Sequence, residues 1–310
     1  MLNQIRGLHH VTAMASGAHA NNAFYTDTLG LRRVKKTVNF DAPDVYHLYY
    51  ADEIGTPGTV MTYFPFPDAA RGRRGAGEVG LTAFSVPKGS LDAWAERLEG
   101  RGVANIARDT AFGEARLLLD GPDGERLALV ETEGDDRAPW TGGGVDAAIA
   151  IRGFRAVEML LRDKAATVEL LGFMGYREAA SEGDTTRYVV EGGNPADAVD
   201  IRVDPAAHRA APGAGSVHHI AFAVENRKVQ AEVAQRLAEA GWPTTPQIDR
   251  DYFFAIYFRS PGGVLFEIAT NEPGFDRDED RAHLGEALKL PSQHEHLRDR
   301  LERTLEPIGG

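Results

Sequence analysis

Apolar residues in this chain gather into short strand-like runs, and most of these runs lead into a stretch with helical spacing. GEVGLTAFSV (77–86) precedes Ser90, Leu91, Trp94 and Leu98, while GSVHHIAFAV (215–224) precedes Val229, Val233 and Leu237. Recurrence at three and four residues predicts a helix after each strand. EGRGV and EAGWP then supply a glycine able to take the left-handed turn that ends a helix. Both stretches close in a hairpin pattern, GPDGERLALVE (121–131) and SPGGVLFEIAT (260–270), with Gly and Pro marking the turn. The two opening runs align without gaps, so the stretches are repeats.

A second pair behaves the same way. IRGLHHVTAM (5–14) aligns on IRGFRAVEML (151–160), and the helices that follow end in FYTDTLGLRRV (24–34) and VELLGFMGYREA (168–179). Strand-like runs come next: TVNF, VYHLYYAD and GTVMTYFPF in the first copy, TTRYVVEG and AVDIRVD in the other. The pattern predicts an α+β fold of four βαβββ modules, a duplication of a duplication. The Pro- and Gly-rich stretch DDRAPWTGGG (135–144) reads as a linker. It divides an N-terminal domain, 1–134, holding modules 1 and 2, from a C-terminal domain, 145–270, holding modules 3 and 4. Residues 271–310 form an acidic and then helical tail.

Composition narrows the chemistry. At 310 residues and 43% hydrophobic content the chain can fill two cores. It has no cysteine, so a metal would have to be held by His, Asp or Glu. A formal charge of -12 argues against a nucleic-acid partner, which needs clustered Lys and Arg. No apolar run reaches the roughly 20 residues of a membrane span, and the N-terminus lacks a secretory pattern, so the expected location is the cytoplasm. A homo-oligomer is compatible with all of this.

Comparison of the copies picks out candidate ligands. His219 of module 4 aligns with Leu81 of module 2, and His10 of module 1 with Ala156 of module 3. Glu267, in the apolar strand VLFEIA, falls opposite Ala128 when SPGG is matched to GPDG. A carboxylate in such a strand is costly to bury unless a cation meets it. His10, His219 and Glu267 are therefore the candidate metal ligands, two imidazoles and one carboxylate. That set leaves open positions on non-haem Fe(II), and Mn(II) or Zn(II) would fit the same donors. One ion can be shared only if modules 1 and 4 lie side by side, leaving 2 with 3. With His219 inward, Ala221 and Ala223 share its face, while Ile220, Phe222 and Val224 turn to the core; His10 and Thr12 pair likewise. Strict alternation turns His9 and His218 away from the ion, unless the strands begin irregularly.

GLHHVT, SVHHIAF, RDYF and GGVLFEIAT on βαβββ units resemble the vicinal oxygen chelate superfamily, also called the glyoxalase/bleomycin resistance/dioxygenase fold. Within it the chain is similar to ring-cleaving dioxygenases that act on hydroquinone-type aromatics, over nearly its whole length. The resemblance implies Fe(II) on His10, His219 and Glu267, with His9, Thr12, His218, Arg250 and Tyr257 around it. The implied substrates are a small aromatic diol and O2. His218 or Tyr257 would do acid/base work, and Arg250 would stabilise negative charge. A hairpin centred near Gly262 independently puts Tyr257 across from Glu267.

Two other readings use the same scaffold. A glyoxalase-like isomerase or transferase generally takes a fourth protein ligand, and the matching place in module 1, near Tyr63, holds no carboxylate. A non-catalytic protein would bind an aromatic compound without turnover. GAGEVG (75–80) precedes a strand instead of opening a helix, so it is not a dinucleotide site. DRDED (276–280) lacks the glycine of a calcium loop and reads as a solvated linker. His294 and His296 belong on a charged surface, whereas His47 alternates to a face that could line a cleft.

Overall fold

The computed structural model describes residues 1–309. Four βαβββ modules follow one another. Module 1 comprises β1 (Leu8–Ala15), α1 (Ala18–Ala23), β2 (Arg32–Val38), β3 (Tyr46–Ala51) and β4 (Val60–Pro65). Module 2 comprises β5 (Glu78–Pro87), α2 (Leu91–Gly100), β6 (Ala104–Ala111), β7 (Glu114–Asp120) and β8 (Arg126–Thr132). Module 3 has β9 (Gly153–Leu161), α3 (Ala165–Phe173), β10 (Arg177–Glu182), β11 (Thr185–Val189) and β12 (Ala198–Val203). Module 4 has β13 (Val217–Val224), α4 (Arg227–Glu239), β14 (Ile248–Asp249), β15 (Phe253–Arg259) and β16 (Leu265–Pro273). Short 3-10 turns and α5 (Arg298–Thr304) make the tail.

The modules pair as the shared ion requires. One eight-stranded sheet runs β14-β15-β16-β13-β1-β4-β3-β2, from modules 4 and 1; the other runs β10-β11-β12-β9-β5-β8-β7-β6, from modules 3 and 2. In each sheet the opening strands of the two modules meet antiparallel at the centre. Each sheet therefore takes one module from either side of residues 135–144.

Local signals explain the elements. Asn226 caps α4 by accepting from the Val229 amide at 3.0 Å, and Gly241 with φ 91° follows its end. Ile220, Phe222 and Val224 are fully buried in the main core together with Val233 and Leu237 of α4. Ala221 lies on the other face in a separate cluster, and its small size leaves room above the sheet. In the sister sheet, Leu81, Ala128 and Ala156 close an apolar cluster with Ala83, Val130 and Ala198. Beside it Arg187 is held by Asp200 and Glu114. The copies that lack the candidate ligands are thus filled by packing and ion pairs.

Two expectations fail on one feature. The strand expected at TVNF begins earlier, at Arg32, so its polar run RRVKK is part of the sheet's edge strand, with Arg33 and Lys35 buried. DRDED is not a solvated linker: Asp278 and Glu279 meet the Lys35 ammonium at 2.6 and 2.5 Å, and the Glu279 side chain is 4% exposed. The tail supplies charges that let a polar strand be buried. GAGEVG leads into β5, as expected; of the two tail histidines in a 3-10 segment His296 is exposed, as expected, whereas His294 is half-buried with Nε2 2.8 Å from the Phe40 carbonyl oxygen. No helix among the described residues is long and apolar enough to cross a membrane.

Candidate metal centre

The two double histidines sit at matched irregularities. β1 pairs with β13 through Leu8↔Phe222, His10↔Ala221, Val11↔Ile220, Thr12↔His219 and Ala13↔Val217. His9 and His218 are each the extra residue of a bulge, one in either strand. A bulge suspends strict alternation and lets neighbouring side chains gather on one side. Both vicinal histidines can therefore reach the same region as the ligand candidate beside them, which regular strands forbid.

Contacts of the outer rings fix the inner ones. His9 Nε2 lies 3.1 Å from the Thr270 carbonyl oxygen, which can only accept, so this nitrogen carries the proton. His9 Nδ1 is then bare and accepts from His10 Nδ1 at 2.9 Å. That leaves the lone pair of His10 Nε2 free. In module 4, His218 Nδ1 and His219 Nδ1 are 2.7 Å apart, so His219 can present Nε2 in the same manner. Orienting an imidazole through its second nitrogen is how proteins prepare histidine for a metal.

Three donors converge. His10 Nε2 and His219 Nε2 are 3.3 Å apart, and Glu267 Oε2 lies 3.4 and 2.9 Å from them. Donors about 2.0–2.2 Å from one divalent ion, at right or tetrahedral angles, would be separated by about 2.9–3.5 Å. Glu267 is fully buried, yet neither carboxylate oxygen has a hydrogen-bond partner. Burial alone would push the Glu267 carboxyl up, and only positive charge on this side of it, such as protons on the His10 and His219 rings taking the place of a cation, holds it well below the usual carboxylate range. A buried acceptor-only group with no donor aimed at it, beside two nitrogen lone pairs, fits a cation. Among the described residues this is the one group of His, Asp and Glu side chains placed to hold a metal.

The donors open onto a cavity of about 560 Å³ with an aromatic wall that includes Phe40, Phe64 and Phe253. Tyr257 pairs with Glu267 across the β15–β16 hairpin, as the register argument expects. Its hydroxyl lies 3.3 Å from Arg250 Nε, and burial followed by the Glu267 charge pushes it up, so it stays protonated. Arg250, in the loop after β14, lines the same cavity and lies 3.7 Å from Asp41. His218 is exposed and also faces in, while His9 and Thr12 stand behind the donors. A larger cleft of about 1010 Å³ adjoins it and shares Met14, His218 and Leu265. It holds no comparable cluster.

The buried outer histidine has a consequence for stability. Burial, then the neighbouring His10 imidazole, pushes His9 down to about 3. Unfolded, it would titrate near 6.5. Between those two values the unfolded chain binds more protons, so stability rises with pH and is lost as pH falls through this window. Metal-free protein is expected to show a lower urea midpoint at about pH 5 than at about pH 7. Equal midpoints would mean that the His9 ring is already charged in the fold.

The family model described as the Glyoxalase/Bleomycin resistance protein/Dioxygenase superfamily matches residues 7–129 and 157–268. The chain belongs to this superfamily. It is 35% identical over 314 residues to the "Chlorohydroquinone/hydroquinone 1,2-dioxygenase" of Sphingobium indicum, covering 98% of each chain. It is 41% identical over 309 residues to the "Putative ring-cleaving dioxygenase MhqO" of Bacillus subtilis (strain 168), covering 99% of this chain and 98% of that one. A crystal structure titled as a "putative dioxygenase" from Bacillus subtilis superposes with a TM-score of 0.95 at 41% identity, over 99% of this chain and 98% of that one. Glyoxalase I from Zea mays, at 12% identity and a TM-score of 0.61, shares the fold.

Within this superfamily fold the structure also places residues that sequence alignment misplaced or missed. Ala221 pairs with Glu267, and Thr12, its counterpart in β1, pairs with Thr62. The module 1 counterpart of Glu267 is thus Thr62, one residue before Tyr63. It too carries no carboxylate, and its hydroxyl donates to Thr12 at 2.9 Å. Tyr63 faces the opposite side, where its hydroxyl meets Tyr25 and Glu125. His47 does line the cavity, joined to Tyr49, whose position mirrors that of Tyr257. The alternation of VYHLYYAD was the available signal for both.

Proposed function

We propose that this protein is a ring-cleaving dioxygenase that holds Fe(II) on His10, His219 and Glu267 and opens a hydroquinone- or catechol-type ring with O2. The observation that carries this reading is the donor set itself: three donors with metal spacing, no fourth carboxylate at Thr62, and a cavity with aromatic walls above them. Chlorohydroquinone and hydroquinone are the substrates in the name of one full-length relative. When bound, the metal would supply the open coordination positions and the redox partner that let an aromatic diol and O2 react.

The chain's own residues prepare that chemistry. His9 and His218 hold the ligand imidazoles in one tautomer, while Phe253, 4.9 Å from the His10 ring, shields them. Tyr257 keeps its proton on Oη beside Glu267, ready to donate to an oxygen arriving there. Arg250 adds a fixed positive charge toward the same place. The nitrogen of His218 that does not face His219 is left to exchange protons with bound substrate.

Oxygen uptake by Fe(II)-loaded protein given hydroquinone tests the reading. Uptake with loss of ring absorbance supports it; isomerisation of a hemithioacetal, or tight binding without turnover, overturns it. Tyr257→Phe is expected to keep full metal content while kcat falls by about a hundredfold. Unchanged kcat would remove Tyr257 from proton transfer.

A further inference from the structure

We infer that Tyr49, its proton committed to His47, is the acceptor for the substrate hydroxyl that lies away from the metal-binding residues. This inference rests on the dioxygenase reading and extends it to the choice of ring substituent.

The argument begins with a directional chain. Thr62 Oγ1 donates to Thr12 Oγ1 at 2.9 Å, which uses the single Thr62 proton. His47 Nε2, 2.9 Å from Thr62 Oγ1, must therefore be the donor of that pair. A neutral imidazole with its proton on Nε2 has a bare Nδ1, and Tyr49 Oη lies 2.8 Å from it. Tyr49 accordingly gives its proton to His47 and keeps only lone pairs for anything else. Burial pushes His47 well below its ordinary value, which agrees with a neutral ring.

Position supports the assignment. Tyr49 is on β3 and Tyr257 on β15, each beyond the strand that pairs with a central histidine strand, so they stand on opposite walls of the cup. Tyr49 pairs with Thr62 as Tyr257 pairs with Glu267. Both His47 and Tyr49 line the cavity, at 7% and 1% exposure, comparable with His10 at 1% and His219 at 4%. The other side-chain acceptors on the wall away from the ligands are engaged or turned to solvent. Asn39 Oδ1 caps the amides of Asp41 and Ala42, and Thr245 Oγ1 accepts from the Tyr257 amide and donates to Pro246. Asp41 points to solvent with its side chain 85% exposed. A hydroquinone-type diol with one oxygen at the metal-binding residues must place its second hydroxyl, across the ring, somewhere on this otherwise apolar wall. Tyr49 offers an acceptor there and no donor.

The site should thus favour a ring bearing a hydroxyl over one bearing a methoxy group, which has no proton to give. Anaerobic equilibrium binding to Fe(II)-loaded protein tests this with hydroquinone and 4-methoxyphenol. Wild type is expected to bind hydroquinone about tenfold more tightly, and Tyr49→Phe to bind both alike with unchanged metal content. Thr62→Val removes the Nε2 acceptor and lets His47 donate to Tyr49 instead, so the preference should shift toward the methoxy compound. A wild-type preference retained in Tyr49→Phe overturns the assignment, even if wild-type oxygen uptake keeps the dioxygenase reading intact. Absent oxygen uptake together with the expected binding pattern overturns the dioxygenase reading and leaves the acceptor site standing.

Discussion

Replacing His219 with alanine should take the protein from one bound divalent ion per chain to none, and lower turnover by about a thousandfold or more. The substitution removes one of three donors, leaving His10 Nε2 and Glu267 Oε2 3.4 Å apart with nothing to complete the set. The fold should survive, because Ile220 and Phe222 on either side of Ala221 anchor β13 in the core and face away from the site. Circular dichroism and the urea midpoint check that part, and metal analysis after anaerobic purification checks the rest. His218→Ala separates the two histidine roles. It leaves the three donors in place while removing the acceptor for His219 Nδ1–H, and is expected to weaken metal affinity by about 10–100-fold without abolishing it. Unaltered metal content and activity in His219→Ala would end the ligand assignment.

Lys35→Met should cost about 3–5 kcal/mol of stability, although residue 35 lies in a strand remote in sequence from its partners. The ammonium is fully buried, faces Asp278 and Glu279 at 2.6 and 2.5 Å, and sits 4.6 Å over the Tyr252 ring. Methionine fills similar space but leaves the Glu279 carboxylate buried without its cation. The same strap holds the loop that carries Arg250: Tyr252 donates to Asp278 at 3.1 Å, and Arg277 to the Asp251 carbonyl at 2.6 Å. Urea denaturation gives the magnitude. Adding Asp278→Asn and Glu279→Gln to Lys35→Met should recover much of the loss, since removing every charge is cheaper than stranding one. A single-variant change within about 0.5 kcal/mol, typical of a surface site, would show that the ion pairs contribute nothing.

Much of the architecture was legible because repetition exposes differences. His219 against Leu81 and His10 against Ala156 singled out the donors, and one shared ion then dictated that modules 1 and 4 form a sheet. The hairpin register of Tyr257 against Glu267 followed from period-two counting. That same counting misled at His9 and His218, because a bulge inserts one residue that pattern alone does not announce. Matching the modules put the Glu267 counterpart near Tyr63, and the sheet register sharpens this to the adjacent Thr62. Lys35 and DRDED were illegible for another reason. Their pairing spans 243 residues and carries no periodicity, so the acidic segment looked like a solvated linker and the strand was read only from TVNF onward, when each neutralises the other.

The most direct test of the central claim is an anomalous difference map of crystals grown with Fe(II) under nitrogen, collected at the iron edge. The account predicts one peak bounded by His10 Nε2, His219 Nε2 and Glu267 Oε2, at about 2.0–2.2 Å from each. A peak elsewhere, or none between these three atoms, would contradict it.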